Sequence, residues 1–318
     1  MGKRILVTPR SFGKSNRAPL ALLEQQGYEI MWNQLGRLYQ EDELEAIIGD
    51  VEGLIVGLDP ITARVMARGK NLKVIAKYGV GVDNIDIHEA KRRGIKVTYT
   101  PGANNQSVAD FTIALLLTLC RNVIELDHRV RNHQWEKTIG TEIYGKTIGI
   151  VGTGEIGKGV AVRAKGFDME VLAYDLQPDD EFAQRLGISY VDKQTILEKS
   201  DVISLHLPLR EGTRHFIGGK ELDLMKESAY LINTARGGII DEEALYHALK
   251  DRKIRGAALD VFEMEPPTQS KLLELHNTIL TPHCGASTID ATNRMGMMAA
   301  MGLISVLKGE SPKYQYPY

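Results

Sequence analysis

The sequence predicts an α/β protein with two doubly wound parallel sheets, in which the second domain is inserted into the first. Three observations support this prediction. Short apolar runs alternate with amphipathic segments almost throughout the chain, and such alternation is typical of parallel sheets covered by helices. The chain has 318 residues, more than one hydrophobic core usually supports. A glycine-rich motif opens a second series of strands in the middle of the chain, which indicates the insertion.

The first series of elements occupies roughly the first third of the chain. Five apolar runs predict strands at residues 4–8, 28–32, 53–56, 73–76 and 95–99. Turn-forming residues then interrupt the alternation at 100–106, and residues 107–131 predict one long helix. We place the first domain boundary at this interruption.

The second series begins at Thr147 and ends near the C-terminus. Its apolar runs predict strands at residues 147–151, 171–174, 202–205, 230–233, 256–259 and 278–280. One more helix is predicted over residues 288–308. The predicted domains are therefore 1–101 together with 288–318, and 102–287 as the insertion.

Composition argues against several classes of function. The 39 Lys and Arg nearly balance the 41 Asp and Glu, and no long charged run indicates nucleic acid or a membrane surface as a partner. No apolar stretch approaches membrane-spanning length, and the short start of the chain lacks a signal-peptide core, so a cytoplasmic location is expected.

Two cysteines, Cys120 and Cys284, match no metal-ligand spacing, so we expect no metal site and two reduced thiols in small apolar slots. A thiolate at Cys284 is the alternative, because a protonated His283 beside it would lower the pKa of the thiol.

The motif Gly152-Thr-Gly-Glu-Ile-Gly157 predicts a dinucleotide-binding site. It joins a β-branched run to a predicted helix, and its glycines allow a tight turn, close approach to a pyrophosphate and close helix–strand packing. The start of the helix offers unpaired N–H groups to the phosphates. A turn with no ligand is the alternative. The residues assigned to the cofactor here are Gly152, Gly154, Glu155, Ile156 and Gly157.

Asp175 ends the second strand of this series and indicates which dinucleotide binds. A carboxylate there accepts hydrogen bonds from the ribose hydroxyls and repels a 2′-phosphate. The next residues, Leu176-Gln177-Pro178, supply no cation to neutralise one. NAD is therefore expected rather than NADP, with an ordinary strand-end turn as the alternative role of Asp175.

Three candidate catalytic residues follow later strands of the second series. Arg236, Glu265 and His283 come after the runs 230–233, 256–259 and 278–280, and ligands of open α/β sheets lie outside the carboxyl ends of strands. A guanidinium binds a carboxylate and polarises a carbonyl. An imidazole exchanges a hydroxyl proton near neutral pH, and an adjacent carboxylate favours its protonated form. Together they suit hydride transfer on a 2-hydroxy or 2-keto acid; taken singly, each could be an ordinary loop residue.

Four motifs together resemble the D-isomer-specific 2-hydroxyacid dehydrogenase family, in its phosphoglycerate dehydrogenase-like branch. They are the glycine motif, Asn233-Thr-Ala-Arg-Gly, Asp260-Val-Phe-Glu-Met-Glu-Pro and Pro282-His-Cys-Gly-Ala-Ser-Thr. The resemblance spans nearly the whole chain. It implies two Rossmann-like domains, with NAD bound by the inserted one and substrate bound by the other. It also implies that Arg236 binds the substrate carboxylate and carbonyl while His283 and Glu265 act as a pair.

The resemblance implies further contacts. Asp260 would hold the nicotinamide carboxamide, and the segment from Asn104 to Asp110 would line the nicotinamide, although the family commonly has Glu at the position of Asp110. Lys158 is a weaker candidate near the pyrophosphate. The other cofactor residues implied are Val108, His206, Pro208, Thr213, Thr234 and Ala235. The implied substrate loop is Lys77, Tyr78, Gly79, Val80 and Gly81, whose backbone would bind the carboxylate. A strand-end turn is the alternative for that loop, and a homodimer is expected, with the 107–131 helix and Trp135 in its interface.

Two cations in the first domain raise the question of a second anionic group on the substrate. Arg10 follows the first predicted strand, and Lys77 ends the strand that leads into the predicted substrate loop. One hypothesis is that they recognise a doubly anionic acid such as 3-phosphoglycerate, with Ser11 adding a donor. The alternative is that both are solvated or paired locally, for example with Asp59.

One other function remains open from the sequence, and a second is disfavoured. Some relatives with this fold are NAD(H)-sensing corepressors, so a non-catalytic scaffold is the alternative function. Formate dehydrogenase activity is disfavoured, because that branch has an amide at the position of Glu265.

Overall fold

The structure is a computed structural model that describes residues 2–317 and divides them into two compact units. Within that range, unit 1 comprises the residues up to Asn104 and those from Ser287 onward, and unit 2 comprises Asn105–Ala286. Each unit has its own parallel sheet with helices packed on it. The predicted α/β class with two parallel sheets is confirmed.

The sheet of unit 1 has five parallel strands in the order β2-β1-β3-β4-β5. They are β1 (Arg4–Val7), β2 (Glu29–Trp32), β3 (Val51–Val56), β4 (Val74–Lys77) and β5 (Lys96–Thr98). Four helices lie between them: α1 (Ala18–Glu24), α2 (Glu41–Ile47), α3 (Ala63–Arg68) and α4 (Ile87–Arg92). The strand order reverses at β1, between β2 and β3, so the loops that follow β1 and β3 flank the position where such sheets bind ligands.

Unit 2 begins with α5 (Asn105–Arg121) and α6 (Val123–Arg131) and then forms seven parallel strands. The strands are β6 (Thr147–Val151), β7 (Glu170–Tyr174), β8 (Ser189–Tyr190), β9 (Val202–Leu205), β10 (Tyr230–Asn233), β11 (Gly256–Leu259) and β12 (Thr278–Leu280). The helices between them are α7 (Glu155–Gly166), α8 (Asp180–Leu186), α9 (Lys193–Lys199), α10 (Gly219–Leu224) and α11 (Glu242–Lys250), with short 3-10 turns at Glu211–Thr213 and Lys271–Glu274. The strand order is β12-β11-β10-β9-β6-β7-β8, so β6 and β9 flank the reversal.

The expectation of one helix over residues 107–131 is wrong. Asn122 adopts the left-handed conformation, with φ 52° and ψ 36°, and separates α5 from α6. The two helices are bent by 62° at this point. Asn tolerates this conformation better than most residues, and the N–H of Thr141 donates to the Cys120 carbonyl at 2.8 Å. A segment about twenty residues further along the chain therefore caps the end of α5. The periodicity of apolar residues in the sequence does not reveal such a contact.

The last helix, α12 (Ile289–Leu307), returns the chain to unit 1. The Thr288 hydroxyl caps its start by accepting the N–H of Ala291 at 3.0 Å. It packs closely on α1, since a Cβ added at Gly296 would lie 2.8 Å from Cγ of Pro19. Among residues 2–317, no single helix is long and apolar enough to cross a membrane, and α5 and α6 pass that test only when joined across their bend.

Candidate active site

The carboxyl ends of three adjacent strands bring the candidate catalytic loops together in unit 2. Strand β11 pairs with β10 on one side and with β12 on the other, so Asn233, Leu259 and Leu280 lie in register. The loops that follow these residues carry Arg236, Glu265 and His283 respectively. Parallel pairing therefore places the three loops side by side at one edge of the sheet.

Glu265 and His283 form a hydrogen-bonded pair. Nδ1 of His283 lies 2.7 Å from Oε2 of Glu265, and their side chains are 29% and 26% exposed. The other oxygen, Oε1, accepts the N–H of Phe262 at 3.1 Å. Because both carboxylate oxygens are engaged, the pair fixes the imidazole ring and leaves Nε2 as the nitrogen suited to proton exchange.

Asp260 organises the loop that carries His283. Asp260 is 2% exposed, and its carboxylate accepts the Thr281 hydroxyl at 2.6 Å and the N–H groups of Cys284 at 2.9 Å and Gly285 at 2.8 Å. The backbone of His283 is left-handed, with φ 51°. Three donors from one loop thus converge on a single buried carboxylate. Their hydrogen bonds compensate for the burial of the charge and hold the strained backbone of the loop in place. The sequence indicated Asp260 only by resemblance and gave no sign of this structural role.

The Arg236 loop is held against the Glu265 loop. The Asn233 side chain bonds within its own loop, donating to the Arg236 carbonyl at 2.8 Å and accepting from Ala235 N–H at 3.0 Å. A Cβ at Gly237 would lie 1.8 Å from the Phe262 carbonyl oxygen, so only glycine fits there. Nη1 of Arg236 donates to the Ala235 carbonyl at 2.6 Å. The two loops therefore share a backbone contact beside Arg236.

The glycine motif forms a backbone cradle that fits a pyrophosphate. Gly152 has φ 94°, and a Cβ there would lie 2.7 Å from the His206 carbonyl oxygen. A Cβ at Gly157 would lie 2.0 Å from the Gly152 carbonyl oxygen, whereas Gly154 faces open space. Helix α7 begins at Glu155, so the N–H groups of Glu155, Ile156 and Gly157 lie in its unpaired first turn. Close packing at the first and third glycines, with open space at the second, is what this ligand requires.

Asp175 is fixed at the end of β7. Its carboxylate accepts the N–H of Thr153 at 2.6 Å and the N–H of Gln177 at 2.9 Å. Burial raises the pKa of Asp175, but these hydrogen bonds outweigh it, so the pKa lies below its ordinary value and the group is ionised. Sequence reasoning missed Thr153, whose hydroxyl also bonds Asp175 at 3.1 Å.

Two charged residues near the cofactor motifs form ion pairs within unit 2. Nζ of Lys158 lies 2.5 Å from Asp179. Asp110 pairs with Nε of Arg163 at 2.6 Å and joins α5 to α7.

The other residues that the resemblance assigned to the cofactor lie in loops of unit 2 and, for Val108, in helix α5. Burial lowers the pKa of His206 to about 4, and Nε2 of this residue lies 2.8 Å from the Ser204 hydroxyl, so His206 is neutral. The Thr213 hydroxyl donates to the Pro208 carbonyl at 2.6 Å and closes their loop. Thr234 bonds the Thr112 hydroxyl of α5 at 2.9 Å, while Ala235 belongs to the Arg236 loop. Val108 packs 3.7 Å from the Cβ position of Gly285.

Both cysteines are thiols rather than thiolates. Burial raises the pKa of Cys284 to about 11, and the Asp260 carboxylate adds to this effect. Burial likewise raises the pKa of Cys120 to about 11. A reactive thiolate beside His283 therefore has no support.

The predicted substrate loop in unit 1 follows β4. Lys77 is 4% exposed, and its Nζ donates to the Gly57 carbonyl at 2.5 Å and to Oδ1 of Asn84 at 2.6 Å. The Tyr78 hydroxyl donates to the Thr292 carbonyl at 3.1 Å. Gly79 has φ 152° and its carbonyl accepts the N–H of Thr100 at 2.9 Å, while Val80 and Gly81 continue the loop outward.

Arg10 and Asp59 occupy the loops after β1 and β3. Nη1 of Arg10 donates to the Gly36 carbonyl at 2.5 Å. Asp59 accepts the Thr8 hydroxyl at 2.5 Å and the Tyr39 N–H at 2.9 Å. Local partners therefore engage both Arg10 and Lys77.

The site and fold define a class of protein. A doubly wound sheet with a pyrophosphate-binding turn, an ionised ribose-side acid and an acid–imidazole pair is typical of an NAD-dependent oxidoreductase. Residues 113–285 match the family model "D-isomer specific 2-hydroxyacid dehydrogenase, NAD binding domain". The chain belongs to this family.

Individual relatives agree with the family model. The chain is 45% identical to a glyoxylate reductase of Korarchaeum cryptofilum over 273 residues, which cover 83% of this chain and 82% of the relative. It is 44% identical to a D-3-phosphoglycerate dehydrogenase of Methanocaldococcus jannaschii over 85% of this chain but only 52% of that longer relative. The structure of a D-lactate dehydrogenase from Aquifex aeolicus complexed with NAD and lactic acid matches with TM-score 0.82, 31% identity and 96% coverage of each chain.

These similarities confirm the functional class. The protein is an NAD-dependent oxidoreductase that acts on the CH–OH group of 2-hydroxy acids. The catalytic function is thereby favoured over the non-catalytic scaffold that the sequence left open.

Proposed function

We propose that this enzyme interconverts small, singly charged 2-keto acids and their D-2-hydroxy acids, with Arg236, Glu265 and His283 as its catalytic residues. The observation that carries the catalytic assignment is the 2.7 Å hydrogen bond between His283 and Glu265, on a strand edge that also bears Arg236. Unit 2 would be the NAD-binding domain and unit 1 the substrate domain.

Each residue has a defined task in this proposal. The glycine cradle and Asp175 would hold NAD, whose nicotinamide ring would accept a hydride in its oxidised form and donate one in its reduced form. In the reductive direction, Nε2 of His283 gives its proton to the C2 oxygen as hydride reaches C2; in the oxidative direction it takes that proton back. Glu265 holds Nδ1 and stabilises the imidazolium that carries the proton. Arg236 binds the carboxylate and polarises the carbonyl.

The bonding of Lys77 supports the choice of a singly charged substrate. Its buried ammonium already donates to Gly57 and Asn84, so the charge serves contacts within unit 1, and an anionic group that took either donor would have to replace one of these bonds. Buried charge-assisted hydrogen bonds are expensive to break. Sequence identity does not decide the question, because the reductase and the phosphoglycerate dehydrogenase are 45% and 44% identical to this chain. The backbone of residues 78–81 would bind the single carboxylate.

A substrate panel tests the proposal directly. NADH oxidation is followed by absorbance with glyoxylate, hydroxypyruvate, pyruvate and 3-phosphohydroxypyruvate. We expect kcat/KM for the best singly charged acid to exceed that for the phosphorylated acid by about tenfold or more, as the loss of one charged contact would give. A preference for the phosphorylated acid would contradict the substrate class, and silence across the panel with intact NADH binding would contradict catalysis.

We further propose that the enzyme is a homodimer joined through the segment Val123–Tyr144. Helix α6 buries none of its residues, and three large apolar side chains follow it in exposed positions, with Trp135 at 86%, Ile139 at 92% and Tyr144 at 71%. Apolar residues concentrated in this way mark interaction surfaces. Light scattering should give twice the mass of one chain, and Trp135→Glu with Ile139→Glu should yield monomers. A wild-type monomer would exclude this interface. A cytoplasmic location remains a prediction from the sequence.

A further inference from the structure

Helix α11 begins with a carboxylate that bonds outside its own helix. Oε1 of Glu242 accepts the N–H of Glu263 at 2.6 Å, and Oε2 accepts the Ser270 hydroxyl at 3.2 Å. Glu263 and Ser270 stand at the two ends of the loop that carries Glu265. One side chain thus joins both ends of that loop to the start of α11.

Capping of the helix does not account for this arrangement. The carboxylate of Asp241 caps α11 by accepting the N–H of Ala244 at 3.0 Å. A first-turn acid normally faces the unpaired N–H groups of its own helix or the solvent. Glu242 is instead half-buried, and burial raises its pKa, with the nearby carboxylates of Glu263 and Glu265 adding to that effect. Its position is electrostatically unfavourable and suggests another role.

The peptide that Glu242 binds is shared by two catalytic loops. On its carbonyl side, the Phe262–Glu263 peptide abuts Gly237, where a Cβ would lie 1.8 Å from the Phe262 oxygen. Gly237 directly follows Arg236. The N–H of Phe262, in the peptide directly before it, donates to Glu265 itself. A shift of this peptide would therefore displace the Arg236 loop and the Glu265 carboxylate together.

We propose that Glu242 is a positioning residue for the hydride-transfer reaction. By accepting hydrogen bonds from Glu263 and Ser270, it fixes the loop so that Glu265 meets His283 and the Arg236 loop keeps its register. The inference rests on the catalytic roles proposed above for Arg236, Glu265 and His283. Glu242 touches none of the reacting atoms in this account and acts only through the loop.

The test compares variants of Glu242 that differ in reach and charge. Glu242→Asp keeps the negative charge at the helix start but is one methylene too short to reach both donors, and Glu242→Ala removes both bonds. We expect each to lower kcat by about 10- to 100-fold, as displacements near 1 Å do, while the Kd for NADH measured by fluorescence changes less than about twofold. Glu242→Gln can still accept from Glu263 and contact Ser270, so it should stay within about threefold of wild type.

Glu243→Ala is the matched control, because the neighbouring carboxylate is exposed and bonds Lys271 rather than the catalytic loop. It should leave kcat within about twofold of wild type. The inference would be overturned if Glu242→Asp and Glu242→Ala kept near-normal kcat, if they lost NADH binding in parallel with turnover, or if Glu242→Gln were as impaired as they are. If Glu242→Ala does not fold, Glu242→Asp and Glu242→Gln give the same comparison.

A double-mutant cycle shows whether Glu242 acts through Glu265. Glu265→Ala removes one of the two groups that Glu242 is proposed to position, so Glu242→Asp should lower kcat by a clearly smaller factor in the Glu265→Ala background than in wild type. A fully additive loss would overturn the inference. Failure of the proposed function can be told apart from failure of this inference. If Glu265 had no catalytic role, Glu265→Ala alone would retain near-normal kcat.

Discussion

The carboxyl edges of the two sheets use charged residues in different ways. In unit 2, His283 and Glu265 bond each other through Nδ1 and Oε2 and leave Nε2 for chemistry. In unit 1, Lys77 ends β4 with a buried ammonium whose donors bind Gly57 and Asn84. In the proposed function, the edge of unit 2 presents the proton-transferring atom, whereas the edge of unit 1 uses its charge to hold loops in place.

The difference shows that position at a strand end does not by itself assign a role. The rule that ligands lie beyond carboxyl ends applies equally to both sheets. What separates the residues is the set of hydrogen bonds each makes, since a buried donor that already bonds the protein is costly to redirect to a ligand. The following predictions test this contrast, beginning with its largest expected consequence.

His283→Ala should abolish most turnover. Removal of a general acid typically lowers kcat by about 10²- to 10⁴-fold, while the Kd for NADH should stay near wild type because His283 is assigned no cofactor contact. Stopped-flow turnover and fluorescence titration measure the two quantities. His276→Ala, at an exposed histidine, is the control. A variant that keeps most of its kcat would show that His283 does not transfer the proton, and the proposed role of the unit 2 edge would fail.

Much of unit 2 could be predicted from sequence because its strands are buried on both faces. The predicted spans 147–151, 202–205, 230–233, 256–259 and 278–280 coincide with the strands β6, β9, β10, β11 and β12 of the structure. Buried parallel strands are continuous β-branched and apolar runs, so their limits are visible locally. The motifs at their ends then located the candidate catalytic residues.

What the sequence did not reveal depends on contacts between distant residues. The break at Asn122 follows from the return of Thr141 to Cys120, and the two-residue strand β8 is too short for periodicity. Glu242 looks like an ordinary first-turn acid in sequence, and only its bonds to Glu263 and Ser270 distinguish it. Whether Lys77 was engaged or available also required its partners to be known.

Acid should weaken unit 2 through His206. Its folded pKa is about 4, below the ordinary value of 6.5, so the unfolded chain takes up a proton first as pH falls. The stability from burying the neutral ring is complete above about pH 6.5 and is lost progressively toward about pH 4, by roughly 3 kcal/mol. Urea unfolding at several pH values should show a smaller decline in His206→Gln. Parallel declines in both proteins would show that His206 is not held neutral.

Asp175→Ser combined with Leu176→Arg should shift cofactor use. The native carboxylate is held ionised by Thr153 and Gln177, and it would repel a 2′-phosphate. The double variant should lose about tenfold or more in kcat/KM with NADH and gain activity with NADPH. Leu176→Arg alone is the control, since Leu176 is 85% exposed and its replacement leaves the carboxylate in place. Equal use of both cofactors by the wild type would show that Asp175 does not select between them.

The smallest effect is expected at Arg10, which decides whether unit 1 recognises a second anion. Nη1 of Arg10 donates to the Gly36 carbonyl, and the side chain is exposed. If local partners are its whole role, Arg10→Ala should leave kcat/KM within about twofold for glyoxylate and for 3-phosphohydroxypyruvate, as surface substitutions usually do. If Arg10 binds a second anionic group, only the phosphorylated acid should slow, by more than about tenfold. That selective loss would show that Arg10 binds the second anionic group of the substrate. The charges at the edge of unit 1 would then not serve only to hold loops in place.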